Sequence, residues 1–181
     1  MAEDRQESEE SPQAGDAIVL VRAATQDDWP AIWGFMRRIV AAADTFLWDP
    51  QIDEREARSR WFHELPGRTL VAVDDSGAVV GTAESKPNYE GPGSHVANAG
   101  FMVDPDHFGR GVGRAMVEHV IDLARADGFR AMQFNAVVET NTRAVALWRS
   151  VGFEVLATVP EAFHHPREGY VGLHVMYLRL R

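Results

Sequence analysis

The stretch that most constrains this chain is Val103-Asp-Pro-Asp-His-Phe-Gly109-Arg-Gly111-Val-Gly113-Arg-Ala115, a glycine-rich turn between two apolar segments. Val96 to Val103 reads as a strand. After the turn, Met116, Val117, Val120, Ile121 and Ala124 recur at helical spacing. Glycine accepts positive φ and lets backbone come close to a ligand. The first turn of a helix leaves N–H groups without intrahelical partners. Together with the helix dipole they favour an anion, above all a phosphate or pyrophosphate. Arg110 and Arg114 add positive charge beside Gly109, Gly111, Val112 and Gly113. Taken alone, three alternating glycines also fit an ordinary tight strand–helix turn.

A second segment follows: Asn141-Thr-Arg-Ala144-Val-Ala-Leu147-Trp148-Arg-Ser-Val-Gly152-Phe153. In this order the two pieces resemble the GNAT superfamily of acetyl-CoA-dependent N-acetyltransferases. The first is similar to that family's pyrophosphate loop, Gln/Arg-x-x-Gly-x-Gly/Ala. The second is similar to its Asn-x-x-Ala-x-x-Leu-Tyr-x-x-x-Gly-Phe signature. The resemblance runs from about Ile18 onward and is weaker before Gly81. It implies a mixed α/β GNAT fold: a central, mostly antiparallel twisted sheet of six to seven strands, with a splayed parallel pair at the fourth and fifth strands and four helices. It also implies acetyl-CoA as cofactor, the amides of Gly109 to Arg114 on its pyrophosphate, and the backbone of Phe101, Met102 and Val103 along the pantetheine arm and thioester. Asn141 matches the family asparagine that touches the cofactor arm, and a helix N-cap is its structural alternative.

Bulk properties agree with one soluble domain. The chain has 181 residues, enough for a real core. Residues 1–16 are acidic and poor in aromatics and read as a disordered tail before a domain over 17–181. The absence of cysteine removes disulfides, thiolate metal sites and a Cys nucleophile. No apolar run reaches membrane-span length and the N-terminus has no signal-peptide character, so the expected location is the cytoplasm. A formal net charge of −9 argues against a nucleic-acid surface. Family habit implies a homodimer.

Turn and cap signals divide the rest. Thr25-x-x-Asp28 opens a helix, and Asp53-x-x-Glu56 opens a second toward His63. Thr69–Val73 and Val79–Glu84 form a hairpin about Asp74-Asp75-Ser76-Gly77. Arg130–Val137 is a strand, residues 142–150 a helix and Glu154–Val159 a strand. Residues 160–169 read as a long loop before a final strand from Tyr170 to Leu180.

Acyl transfer to an amine needs a group that takes the ammonium proton. Glu84 and His95 are the candidates, through water, with a solvated loop histidine as the alternative for His95. Trp148 stands where many family members carry a tyrosine acid. Indole donates only, so no dedicated acid is expected there. Tyr170 and Tyr177 are candidate substitutes, though packing is the plainer use of each. His164 and His165 fall in the expected late loop, where they are placed to line the acceptor mouth but make a poor metal site. Phe108 replaces the usual Gln or Arg of the phosphate loop, at the cost of one side-chain contact.

Asn98 and Asn135 sit in apolar strands, where asparagine is depleted. They are either structural amides or acceptor ligands. Strict alternation puts Asn98 and Phe101 on opposite faces, and a β-bulge near Ala99-Gly100 would bring both to the cleft. Asn98, Phe101 and Asn135 resemble a GNAT subset that includes fungal acetyltransferases of proline-like amino acids, which implies a small amino acid-like amine as acceptor. A protein N-terminus or lysine as acceptor, and a non-catalytic acetyl-CoA sensor, are the alternatives.

Overall fold

Periodicity resolves into seven strands and four α-helices over residues 19–181, the part of the chain that the computed structural model describes. The acidic tail expected over residues 1–16, and Ile18, lie outside the described residues. In chain order the elements are β1 (Leu20–Ala23), α1 (Trp29–Ala42), α2 (Glu54–Trp61), β2 (Arg68–Val73), β3 (Val79–Pro87), β4 (Val96–Val103), α3 (Val112–Ala126), β5 (Ala131–Val138), α4 (Thr142–Ser150), β6 (Glu154–His165) and β7 (Gly169–Arg179). They form one sheet in the order β1-β2-β3-β4-β5-β7-β6. Every neighbouring pair is antiparallel except β4 and β5. A parallel pair needs a crossover, and α3 supplies it.

The sheet is covered on both faces. On one, α3 buries Val112, Met116, Val117, Val120, Ile121 and Ala124 against Leu70, Val80, Ala83, Ala97, Met132 and Phe134. Each of the larger aliphatic side chains contributes about 1.5–3 kcal/mol by leaving water. Gly81 permits the close approach: a Cβ there would meet Met116 Cε at 2.9 Å. On the other face α1 and α2 pack Trp29, Ile32, Phe35, Met36 and Trp61 over Val71 and Met102. The entry to α1 is fixed by Asp28, whose carboxylate takes both Arg22 Nη atoms at 2.8 Å and Thr25 N–H at 2.7 Å. Asp53 caps α2 by accepting from Glu56 N–H at 2.8 Å.

Three sequence expectations are corrected. The expected loop over residues 160–169 is strand for its first half: β6 runs on to His165 and pairs with β7 up to His165↔Gly169. Pro160 is tolerated because β6 is an edge strand. A bulge between Val159 and Phe163, with Glu161 at φ 54°, absorbs the extra residues. Second, β4 carries no bulge at Ala99-Gly100. Its register against β3 is continuous from Gly81↔Val103 to Pro87↔Ala97. The irregularity lies in β5, between Phe134 and Val137, and takes up Asn135 and Ala136. Third, His164 and His165 do not line the acceptor mouth. His165 is buried under the hairpin turn, where its Nδ1 accepts from Arg167 and Glu168 N–H at 3.2 Å each. His164 stacks on Tyr170, centroids 4.7 Å apart.

Candidate active site

β4 and β5 pair only at Val96↔Ala131 and Ala97↔Met132, then separate. The wedge between them is part of a cavity of about 970 Å³ that runs from the glycine turn to the α1–α2 connection. Three aromatic rings fill the crotch. Phe101 of β4 and Phe134 of β5 lie 6.0 Å apart, and Trp148 of α4 sits 5.0 Å from the first and 5.1 Å from the second. The indole that replaces the family tyrosine therefore props the two strands apart and walls the cavity.

Strand parity decides which main-chain groups face the wedge. Asn88 N–H donates to Val96 O, and Asp104 N–H donates to Val80 O, so the even-numbered residues of β4 turn their amides and carbonyls to β3. The odd-numbered ones, Ala99, Phe101 and Val103, turn theirs toward β5, which has withdrawn. Phe101 and Val103 thus offer free backbone groups to a ligand. Met102 lines the cavity, but its own backbone groups face β3 opposite Thr82.

At the C-terminal end of β4 the chain enters the glycine turn. Gly109 and Gly111 hold φ of 80° and 78°, conformations that side chains rarely adopt. Gly111 is the N-cap of α3. Among the described residues the N–H groups from Gly109 to Arg114 donate no backbone hydrogen bond. Gly113 lies under α4, with Leu147 Cδ2 at 3.2 Å from where its Cβ would be. Gly109, Gly111, Val112, Gly113 and Arg114 line the cavity, whereas Arg110 does not. The Arg114 side chain is drawn to Ser150 Oγ at 2.9 Å and Glu118 at 3.3 Å. Asn141 lines the same end, and its Oδ1 caps α4 by accepting from Ala144 N–H at 3.3 Å. Cap and cofactor contact are compatible, because the cap uses only the carbonyl oxygen. Sequence reasoning missed Arg143, whose guanidinium lies 5.0 Å from the Phe108 ring centroid at this end of the cavity. Its position inside the second motif was the available signal.

The other end carries side-chain chemistry. Glu84 lines the cavity with 8% of its surface exposed. Its Oε2 contacts His63 Nε2 and accepts from Lys86 Nζ at 2.8 Å. Asn98 lies on the same face as Glu84 and donates from Nδ2 to Gln133 O at 2.8 Å, closing the sheet where β4 and β5 part. Asn135 is exposed rather than buried. Its Oδ1 accepts from Gln133 Nε2 at 2.8 Å, and its Nδ2 donates to Asn88 Oδ1 at 2.7 Å. Asn98 and Asn135 both line the cavity, so the structure brings the two amides and Glu84 together. It does not bring His95, which is exposed at the paired end of β4 with Nδ1 at 3.0 Å from Pro92 O. Tyr170 and Tyr177 do not line the cavity either. Phe46, Leu47 and Trp48, in the α1–α2 connection, form an apolar wall across from Glu84 that the sequence reading did not mark. No periodicity flags a loop, so nothing pointed to it.

Comparison with known proteins agrees with this geometry. The family model described as Acetyltransferase (GNAT) family matches residues 33–153, more than half of the chain. The chain belongs to that family. A GCN5-related N-acetyltransferase from Kribbella flavida is 56% identical with a TM-score of 0.87, over 89% of this chain and 97% of that one. The L-amino acid N-acyltransferase MnaT of Escherichia coli is 30% identical over 64% of this chain and 68% of its own length. N-acetyltransferase aca1 of Schizosaccharomyces pombe is 32% identical over 61% of this chain, and the match spans only about half of that protein, 53%. The structure of yncA from Salmonella typhimurium, 25% identical with a TM-score of 0.75 over 91% of this chain and 95% of that one, was solved with its cofactor acetyl-CoA. The family's acyl donor is acetyl-CoA, and the residues here fit it. Six successive unpaired amides suit a diphosphate, and an apolar wedge suits a thin pantetheine arm.

Proposed function

We propose that this chain transfers an acetyl group from acetyl-CoA to the amine of a small, amino acid-like molecule, by direct attack in a ternary complex. The observation that carries this reading is a single continuous cavity with unpaired backbone amides at one end and the Glu84 carboxylate with two amide side chains at the other. Donor and acceptor then meet in the wedge between Phe101 and Asn135. The names of relatives such as MnaT favour an amino acid over a peptide.

The residues divide the work. Acetyl-CoA supplies the activated acyl group. The amides of Gly109, Gly111, Val112, Gly113 and Arg114 hold its diphosphate, and Asn141 flanks the arm. The backbone N–H of Phe101 or Val103 is positioned for the carbonyl oxygen of the acyl group, a contact typically worth roughly 10²–10³ in rate. Glu84 takes the proton from the acceptor ammonium, so that the nitrogen lone pair is free. Asn98 and Asn135 orient the acceptor. Trp148 has no acid–base chemistry and serves as wall and wedge. Solvent protonates the departing thiolate, a tolerable leaving group at a thiol pKa of about 8.5.

The test is thiol release across a panel of amino acids, polyamines and peptides. Glu84→Gln is expected to lower kcat by roughly 10²–10⁴ while leaving acetyl-CoA affinity unchanged. A fully active Glu84→Gln removes the proposed base. Tight acetyl-CoA binding with no turnover on any amine would favour the non-catalytic sensor instead.

A further inference from the structure

Glu84 cannot finish its task alone. A base that has taken a proton must lose it before the next turnover, and this carboxylate is enclosed by the fold on one side and by bound acceptor on the other. Among the described residues its side chain has two polar partners, Lys86 Nζ and His63 Nε2. An ammonium has no lone pair and accepts no proton, whereas an imidazole nitrogen does.

The His63 ring spans the route outward. Its Nε2 meets Glu84, while its Nδ1 has no protein partner among the described residues and is not a buried orphan, so it keeps contact with solvent. The side chain is 20% exposed, against 11% for Glu84. The local chain fixes the ring. His63 N–H donates to Thr69 Oγ1 at 3.1 Å, and that hydroxyl donates to Trp61 O at 2.8 Å. Gly67 allows the loop to close, since a Cβ there would stand 2.7 Å from His63 Cβ. The titratable groups touching the ring are Glu84 and Lys86, both from β3, with Lys86 Nζ 3.4 Å from Nε2. From α2, β4 and β2 the cluster meets Trp61, Gly100 and Thr69, none of which titrates near neutrality.

We propose that His63 is a positioning residue that relays the acceptor's proton from Glu84 to solvent; this rests on Glu84 being the base. The acceptor N–H bond breaks as an O–H bond forms on the Glu84 carboxylate. That O–H proton passes to His63 Nε2, which restores the carboxylate. The imidazolium releases its Nδ1 proton to water or buffer, and exchange with solvent then moves the remaining ring proton from Nε2 to Nδ1, so that Nε2 can accept again. No oxidant or further reactant is needed: the nitrogen's second proton, lost as the tetrahedral adduct collapses, goes to the solvent that protonates the thiolate, so each turnover exports one proton.

The experiment compares wild type, Glu84→Gln, His63→Gln and His63→Ala in thiol release, with and without added imidazole. Melting temperature and acetyl-CoA affinity are measured for each. His63→Gln retains an amide able to bond Glu84 but carries no proton. It is expected to lose about tenfold in kcat near neutral pH, to shift the acid limb of its pH profile, and to become buffer-dependent. Imidazole should restore much of the rate of His63→Ala. A His63→Gln enzyme with wild-type kcat and pH profile overturns the relay while a crippled Glu84→Gln keeps the base. An active Glu84→Gln overturns both. If His63→Ala fails to fold, His63→Gln decides alone.

Discussion

The two ends of the cavity are built from different materials. The glycine-turn end is main chain: unpaired amides from Gly109 to Arg114 and the backbone edge of β4 beyond Ala97. The Glu84 end is side chain: Glu84, Asn98 and Asn135 line it, with His63 and Lys86 bonded to the first and Asn88 and Gln133 bonded to the last. A main-chain site needs a strand, a turn and a helix in order, all local in sequence. The side-chain site depends on contacts between elements, His63 with Glu84 across 21 positions and Asn88 with Asn135 across 47. The first suits a donor shared across a family. The second, on the proposed function, is where the acceptor is chosen.

If that division holds, a substitution at one end should leave the other end's ligand almost untouched. The largest effect is expected from Gly111→Val. At φ 78° a β-branched residue is strained, and relief of the strain turns the amides away from the phosphate position. A cost of about 1–3 kcal/mol corresponds to as much as roughly 100-fold in acetyl-CoA Kd, read by calorimetry. A wild-type Kd would break the claim that backbone geometry holds the donor.

Next in size is Asn98→Ala. Losing the bond to Gln133 O is expected to cost about 1–2 kcal/mol in stability and to lower acceptor kcat/KM by roughly tenfold at unchanged acetyl-CoA affinity. A fall in Tm without any change in acceptor kinetics would leave Asn98 as a structural amide alone.

The same division explains what could be read from the sequence. The strand–turn–helix unit, the buried stripe of α3, the cap at Asn141 and the parallel pair all follow from local pattern. The splay does not, because it depends on Phe101, Phe134 and Trp148 meeting from three separate elements. Asn98 and Asn135 were visible as odd residues in apolar strands, but their partners were not. Strict alternation calls for a bulge in β4 to reconcile Asn98 with Phe101, and the structure places the irregularity in β5 instead. Both residues still line the cavity, because the wedge exposes the β4 edge from both faces. Local pattern marks His63 only as the end of a helix; its contact with Glu84 depends on the return of the chain through Gly67 and β2.

Acid offers a milder way to sharpen the contrast, since amides do not titrate in this range and carboxylates do. α1, whose Arg38, Ile39 and Ala42 line the cavity, is anchored by Asp28. The Arg22 guanidinium, helped by Thr25 N–H and Oγ1, holds that carboxyl well below the usual carboxylate range. A depressed folded-state pKa stabilises the native form above the unfolded value of about 3.9 and loses this contribution as pH falls below it. Because Arg22 is partly exposed, about 1 kcal/mol is expected from the pair. Between pH 5 and 3, by order-of-magnitude titration reasoning, Tm should fall less in Arg22→Met than in wild type. Equal acid sensitivity would show that other carboxylates control it.

The smallest effect tests whether the main-chain end has a side-chain supplement. Phe108 stands where related loops carry Gln or Arg, and Arg143 reaches over its ring from the first turn of α4. The cavity therefore has a guanidinium at this end after all, brought from another element and resting on the aromatic face. An exposed cation–π contact is worth about 0.5–1 kcal/mol, so Arg143→Ala should weaken acetyl-CoA binding by only roughly three- to fivefold. Phe108→Ala should do no more than that, and the double variant should scarcely exceed either single one, because both remove the same placed charge. Raising the salt should shrink the wild-type advantage, since a charge at the rim is screened. If Arg143→Ala binds acetyl-CoA as wild type does at low salt, the stacked pair is surface packing, and the donor is held by backbone alone.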